Sequence, residues 1–224
     1  MIRKNFFLYV MIINIWPIGI AMATIDKKLK VYRTRRDLER SPEPYGGKRK
    51  HAKKLKFVVQ KHDASHLHYD FRLEIDGVLV SWAVPKGPSM DPKVKRLAMQ
   101  TDDHPMEYGK FEGIIPEGSY GAGTVIVWDT GTFENIREKN EKLVPLDSCL
   151  KQGHIDVWLL GKKLKGGFSL IRFGGIDNKK QWLLVKKNDE YAKSGHAWKR
   201  TSEKSVLSGK TLRQMEQGEP DVWD

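Results

Sequence analysis

The chain has 224 residues, with 40 Lys plus Arg against 28 Asp plus Glu, a formal net charge of +12 at pH 7 with histidine neutral. Hydrophobic residues at 39% and aromatics at 10% exclude a disordered chain, and the length suits one large domain or two small ones. The single cysteine, Cys149, excludes an intrachain disulfide framework and a cysteine-based zinc site, while the cationic excess points to a polyanionic partner, nucleic acid before anionic membrane.

Residues 1–22 do not match the rest. Arg3 and Lys4 precede an apolar stretch from Phe6 to Ala21, broken by Asn14 and Pro17 and closed by Ala21-Met22-Ala23. This has the form of a secretory signal peptide. It is short for a membrane span, which needs about 20 apolar residues, and it contains a proline. The other reading is a start at Met22, since Ala-Thr-Ile-Asp-Lys-Lys-Leu reads as an ordinary soluble N-terminus. Residues 1–22 therefore stay out of the fold reading. Residues 23–56 form a basic arm rich in Lys and Arg and punctuated by Pro42, Pro44, Gly46 and Gly47. The pattern predicts a short helix over 34–40, stopped before Pro42; a solvated leader has the same composition.

From residue 57 the chain turns strand-like. Phe57-Val58-Val59-Gln60 is a short β run. Residues 68–75 alternate strictly, Asp76-Gly77 is the preferred two-residue hairpin turn, and Val78 to Val84 returns as the partner strand. Further strands are predicted at 96–101, 123–129, 132–136, 154–160, 167–173 and 181–187, and residues 206–217 are the best helix candidate. Many short strands with turn signals between them predict a mainly β protein, a compact antiparallel barrel or sandwich with a few short flanking helices. The β domain is placed at 57–192, with a C-terminal tail over 193–224.

Strand 68–75 carries the sharpest signal. Side chains alternate between faces, so Tyr69, Phe71, Leu73 and Ile75 share one face and His68, Asp70, Arg72 and Glu74 the other. The first set suits a core. The second aligns an imidazole, a carboxylate and a guanidinium, each about 6–7 Å from the next. Imidazole and carboxylate are ligands for Mn, Zn or Fe. A wet strand face also carries charges like these, but His62 and His66 lie just upstream, and histidine is an unusual choice for a purely solvated face. A second constellation, Asp102-Asp103-His104-Pro105-Met106-Glu107-Tyr108, has a pre-proline histidine pushed toward extended backbone, as in a loop leaving a strand. The glycine-rich run Phe111 to Gly123 is neither a P-loop nor a dinucleotide fingerprint.

These residues together resemble the 3′-phosphoesterase module of bacterial DNA ligase D proteins, in its stand-alone form. The resemblance is carried by Gln60 to Glu74, Ser81 to Ser89, Asp102 to Pro105, Phe111 to Gly123, Trp128-Asp129 and Gln181 to Lys187, and spans roughly residues 34–192. It implies a compact β-barrel and a manganese-dependent enzyme, other divalent transition metals being alternatives. The reactions implied are removal of a terminal ribonucleoside and hydrolysis of a terminal 3′-phosphate in DNA repair by non-homologous end joining.

By resemblance, the metal ligands are His62, His68 and Asp70, and the catalytic positions are Arg72, His104 and Tyr108. Lys86 and Arg96 match phosphate-holding positions. Arg36, Asp37 and Glu43 match an N-terminal element contributing to ribonucleoside removal, and Gln60 and Asp102 complete the substrate-binding set. The family's usual pattern has Glu where this chain has the shorter Asp102. His66 is not counted as a ligand. The implied substrates are DNA 3′ ends on a primer-template, with a separate DNA ligase or end-binding protein as partner. No membrane is implied, and the cytoplasm is the expected location, which favours the start at Met22. Arg72, always protonated and without a lone pair, is expected to act on the phosphate and not on the metal. Two rival readings are a non-haem Fe(II) oxygenase on a β-barrel, suggested by His66-x-His68 with Asp70, and a non-catalytic nucleic-acid-binding module.

Overall fold

A computed structural model describes residues 18–47, 54–173, 180–194 and 203–218. Eleven strands are present among them: β1 (Leu55–Asp63), β2 (Leu67–Ile75), β3 (Val78–Val84), β4 (Lys95–Gln100), β5 (Gly113–Ile115), β6 (Gly123–Asn135), β7 (Glu138–Lys139), β8 (Lys142–Leu143), β9 (His154–Gly161), β10 (Lys165–Arg172) and β11 (Gln181–Lys186). Eight close a barrel in the order β1-β2-β3-β4-β11-β10-β9-β6, with β6 pairing back to β1; β5 adds to the free end of β6, and β7-β8 is a separate hairpin. All the pairings are antiparallel, so the predicted barrel is the fold, and closure leaves few strand edges exposed.

Local chemistry explains the register. Asp76 (φ 50°) and Gly77 (φ 80°) make the two-residue turn, and Ile75 then faces Val78, Leu73 faces Val80 and Arg72 faces Ser81. Between Val59 and Gln60 the β1–β6 register slips by one, leaving Trp128 as an extra residue on β6. This bulge lies beside the polar face of β2 and bends β6, which runs unbroken across the two segments predicted as separate strands. Alternate residues of β1 to β3 (Phe57, Val59, Phe71, Leu73, Ile75, Val80, Trp82) join Trp128, Phe168 and Trp182 in one buried cluster, the barrel interior. Each such side chain contributes roughly 1.5–3 kcal/mol by leaving water.

The opposite faces of the same strands are also covered. Val58, Leu79 and Val127 form a second small cluster with Tyr32 of helix α1 (Ile18–Thr34) and Tyr108 of a one-turn 3-10 helix, Met106–Lys110. Two helix predictions shift. The helix expected at 34–40 ends at Thr34, and residues 37–41 form a turn instead, with the backbone amides of Arg40 and Ser41 donating to Asp37 O. Ile25, Leu29 and Tyr32, spaced four and three apart, dock the cationic helix on the barrel, an apolar stripe hidden in a segment that reads as solvated. The helix expected at 206–217 shortens to α3 (Leu212–Glu216), because Gly209 holds φ 73° and the start is set by a capping box between Thr211 and Gln214. A further helix, α2 (Leu146–Gln152), precedes β9. None of the described helices is long and apolar enough to cross a membrane.

Candidate metal centre and active-site cleft

β1 extends to Asp63, so His62 is a strand residue paired directly with His68 across the β1–β2 ladder, and Gln60 is paired with Asp70. One donor atom from each of His62, His68 and Asp70 lies within 4.8 Å of the others. His62 Nδ1 stands 3.7 Å from Asp70 Oδ2 and His68 Nε2 stands 3.8 Å from Asp70 Oδ1. These separations exceed a hydrogen bond, so the donors converge on a shared space instead of satisfying one another.

The surroundings prepare them as ligands. His68 Nδ1 lies 2.8 Å from the His66 carbonyl; a carbonyl only accepts, so Nδ1 holds the proton and Nε2 presents its lone pair toward Asp70. His66 thus acts through its backbone. The ring of His62 is buried, with Nδ1 turned to Asp70 and Nε2 without a hydrogen-bond partner among the described residues. Burial alone raises the Asp70 carboxyl, but Arg72 and the two histidines hold it well below the ordinary carboxylate range. Neutral imidazoles and an ionised carboxylate are what a divalent cation requires, so the residues fit a metal site.

Arg72 is 2% exposed. Its Nε donates to Gln60 Oε1 at 2.8 Å, Nη1 to Ser81 Oγ at 2.8 Å and Nη2 to Asp70 Oδ2 at 3.0 Å, which commits three of its five N–H groups. Arg72 is therefore hydrogen-bonded to one of the candidate metal donors, Asp70. Gln60, the register partner of Asp70, uses its amide nitrogen on the carbonyls of Tyr108 and Phe111 and so ties the 3-10 helix to β1.

His104 sits between two guanidiniums. Its Nε2 lies 3.0 Å from Arg36 Nη2, and its Nδ1 lies 2.8 Å from Asp102 O and 2.9 Å from Arg72 Nη1. A guanidinium can only donate, so Nε2 accepts from Arg36; the proton then resides on Nδ1 and faces the Asp102 carbonyl, which leaves Arg72 Nη1 in close contact with Nδ1 without donating to it. Burial first, then Arg72 and Arg36, push the imidazole well below its usual range, so it is neutral. Arg36 is itself fixed by Glu43 Oε1 at 2.8 Å and lies over the Tyr32 ring at 4.0 Å; Ser41 Oγ donates to the other Glu43 oxygen. Tyr108 is buried against His104 with Arg72 over its ring at 4.9 Å, and burial raises its phenol well above the usual range.

His62, His68, Asp70, Arg72, Arg36, Asp102, His104 and Tyr108 line one cleft with a volume of about 250 Å³. Gln60 and Glu43 act behind it. Asp37 is exposed, and its carboxylate accepts the Glu39 amide. Lys86, exposed in the loop after β3, and Arg96, opposite Leu184 on β4, are not among the cleft-lining residues. Three contributors went unassigned from sequence. Ser81 was legible, because counting out from the Asp76-Gly77 turn sets it opposite Arg72. Arg35 and Tyr120, which meet at the cleft mouth, carry no local signal.

Residues 60–172 match the family described as the DNA ligase D 3′-phosphoesterase domain. The chain belongs to that family. It is thereby one of a family of phosphoesterases, which are hydrolases. The chain is 50% identical over 191 residues to the multifunctional non-homologous end joining protein LigD of Pseudomonas aeruginosa, covering 84% of this chain and 22% of the relative. It is 44% identical over 173 residues to the protein of the same name from Mycolicibacterium smegmatis, covering 76% and 22%. It is also 44% identical over 156 residues to the multifunctional non-homologous end joining DNA repair protein LigD of Mycobacterium tuberculosis, covering 69% and 20%. The chain thus spans about a fifth of the length of these relatives.

Proposed function

We propose that the chain is a manganese-dependent phosphoesterase that heals DNA 3′ ends, removing a terminal ribonucleoside and hydrolysing a terminal 3′-phosphate, in DNA repair by end joining. The observation that carries this reading is the convergence of His62, His68 and Asp70 beside two guanidiniums in one cleft. A divalent ion held by those three residues supplies charge neutralisation on the phosphoryl oxygens and activation of water. Arg72, with N–H groups left over, and Arg36 add positive charge where phosphoryl charge redistributes. His104, neutral with Nε2 accepting from Arg36, sets the direction of that guanidinium. Tyr108, kept as a phenol, donates a hydrogen bond into the cleft. Asp102, held by Arg35 at 2.9 Å, offers a carboxylate to a ribose hydroxyl. Lys86 and Arg96 act on DNA phosphates away from the scissile one, and Asp37 on the approach to the N-terminal element. Sealing a healed end falls to a ligase, with a separate ligase or end-binding protein as partner in the cytoplasm.

The test incubates primer-templates ending in a 3′-phosphate or a 3′-ribonucleotide with protein and Mn²⁺, with and without chelator, and resolves the products on a gel. Conversion of both ends that chelator abolishes is expected. Activity that persists in chelator would refute the metal assignment, and no conversion would refute the phosphoesterase reading.

A further inference from the structure

The mouth of the cleft holds an aromatic ring for which the chemistry above has no use. Tyr120 stands in the turn between β5 and β6, flanked by Gly118 and Gly121 at φ near 80°, and is 49% exposed. A half-exposed tyrosine on a loop is ordinary in itself. This one is held. Its hydroxyl lies 3.2 Å from Arg35 Nη1, and the same Nη1 lies 2.9 Å from Asp102 Oδ2. The guanidinium carbons of Arg35 and Arg36 are each 5.3 Å from the ring centroid. The ring lines the cleft that contains the metal donors.

A 3′ end tipped with a ribonucleoside differs from one tipped with phosphate by an uncharged group beyond the scissile bond. Guanidiniums hold phosphate by charge, which an uncharged base and sugar do not carry. Recognition of that group falls to stacking and to hydroxyl contacts, and Tyr120 with Asp102 supplies both at the cleft opening. We infer that Tyr120, positioned by Arg35 and Asp102, is a specificity-determining residue: it stacks on the terminal nucleobase of a ribonucleoside-tipped end, while a second oxygen of Asp102 receives a ribose hydroxyl. The inference rests on the phosphoesterase reading above. Because every base has a π-face, the clamp takes any base and grips a purine more than a pyrimidine.

Steady-state kinetics on one primer-template carrying a 3′-adenosine, a 3′-uridine or a 3′-phosphate test it. Tyr120→Ala is expected to raise KM for the adenosine end by about tenfold, the order of one lost base–aromatic stack. The rise should be smaller for uridine and smallest for phosphate, with kcat little altered. Tyr120→Phe keeps the ring and retains most of the affinity. An equal KM rise on all three ends, or a fall in kcat with KM unchanged, overturns the clamp while leaving the phosphoesterase reading intact. A wild-type protein that turns over none of the three ends overturns that reading, and the clamp with it.

Discussion

Strand β2 has two buried faces built on opposite rules. Inward, Tyr69, Phe71, Leu73 and Ile75 join an apolar cluster in which nothing but packing is at stake. Outward, His68, Asp70, Arg72 and Glu74 face a polar network, with Arg72 2% and Asp70 7% exposed. A charged face is normally left to water. Here Tyr32, Tyr108 and their neighbours cover it, and the cost of desolvating charge is met by pairing Asp70 with Arg72 and Arg36 with Glu43. The difference teaches where to look for function: the apolar interior contributes stability through packing, while the covered outer wall gathers His62, His68 and Asp70 around a shared space.

The sharpest way to break this comparison is to truncate one residue on each face. Phe71→Ala should cost about 3–5 kcal/mol of unfolding free energy, as for buried aromatics elsewhere, while the folded fraction keeps its Mn²⁺ affinity. His68→Ala should do the reverse, removing Mn²⁺ binding and turnover with little change in stability. Denaturant titration beside calorimetric Mn²⁺ titration separates the two. Loss of metal binding in the first variant, or its retention in the second, would erase the distinction between the faces.

Next in size is Arg72, where the network and the chemistry meet. Arg72→Ala should lower single-turnover rates by about a hundredfold or more, the loss typical of one preorganised donor. Because its Nη2 holds Asp70 Oδ2, Mn²⁺ affinity should shift as well. Arg72→Lys should recover little, since an ammonium cannot reach Gln60, Ser81 and Asp70 together. Near-normal rates in either variant would reduce the outer network to a structural one.

Asp103, beside the cleft, gives a pH test of how much charge the covered wall tolerates. Burial is the main cause that raises its carboxyl from 3.8 to about 6; Lys28 opposes the rise and Asp102 adds to it. A carboxyl raised in the folded state favours folding while protonated, so its contribution is full below about pH 4 and is lost as pH climbs through about 6. Asp103→Asn should therefore match wild type near pH 4 and exceed it by about 2–3 kcal/mol at pH 7. A constant offset across that range would show that the carboxylate is not strained.

The smallest effect concerns the exposed cations of α1. Lys27 and Lys30 are exposed on the helix whose end delivers Arg35 to the cleft mouth. Removing either should reduce the slope of log K for DNA against log salt by about 1, and affinity for a primer-template should fall steeply between about 50 and 200 mM salt. A flat salt dependence would leave the charge of +12 without a role in DNA binding.

Much of this was legible in the residue order. Alternation over 68–75 and the Asp76-Gly77 turn determine a hairpin with one apolar and one polar face, because side-chain direction on a strand has period two and the turn sets the register. The donor residues His62, His68 and Asp70, the Arg72–Ser81 pairing and the barrel class all follow from that local geometry and from resemblance. What the tertiary structure alone decided is what covers the polar face. Closing β6 onto β1 brought a bulge at Val59/Gln60, and docking α1 brought Arg35 and Arg36, more than 60 positions away in sequence from His104, Asp102 and Tyr120, to one cleft. No periodicity within a cationic segment reports such a contact, because the pairing of a charge depends on which remote surface excludes water around it, and that is settled only when the layers pack.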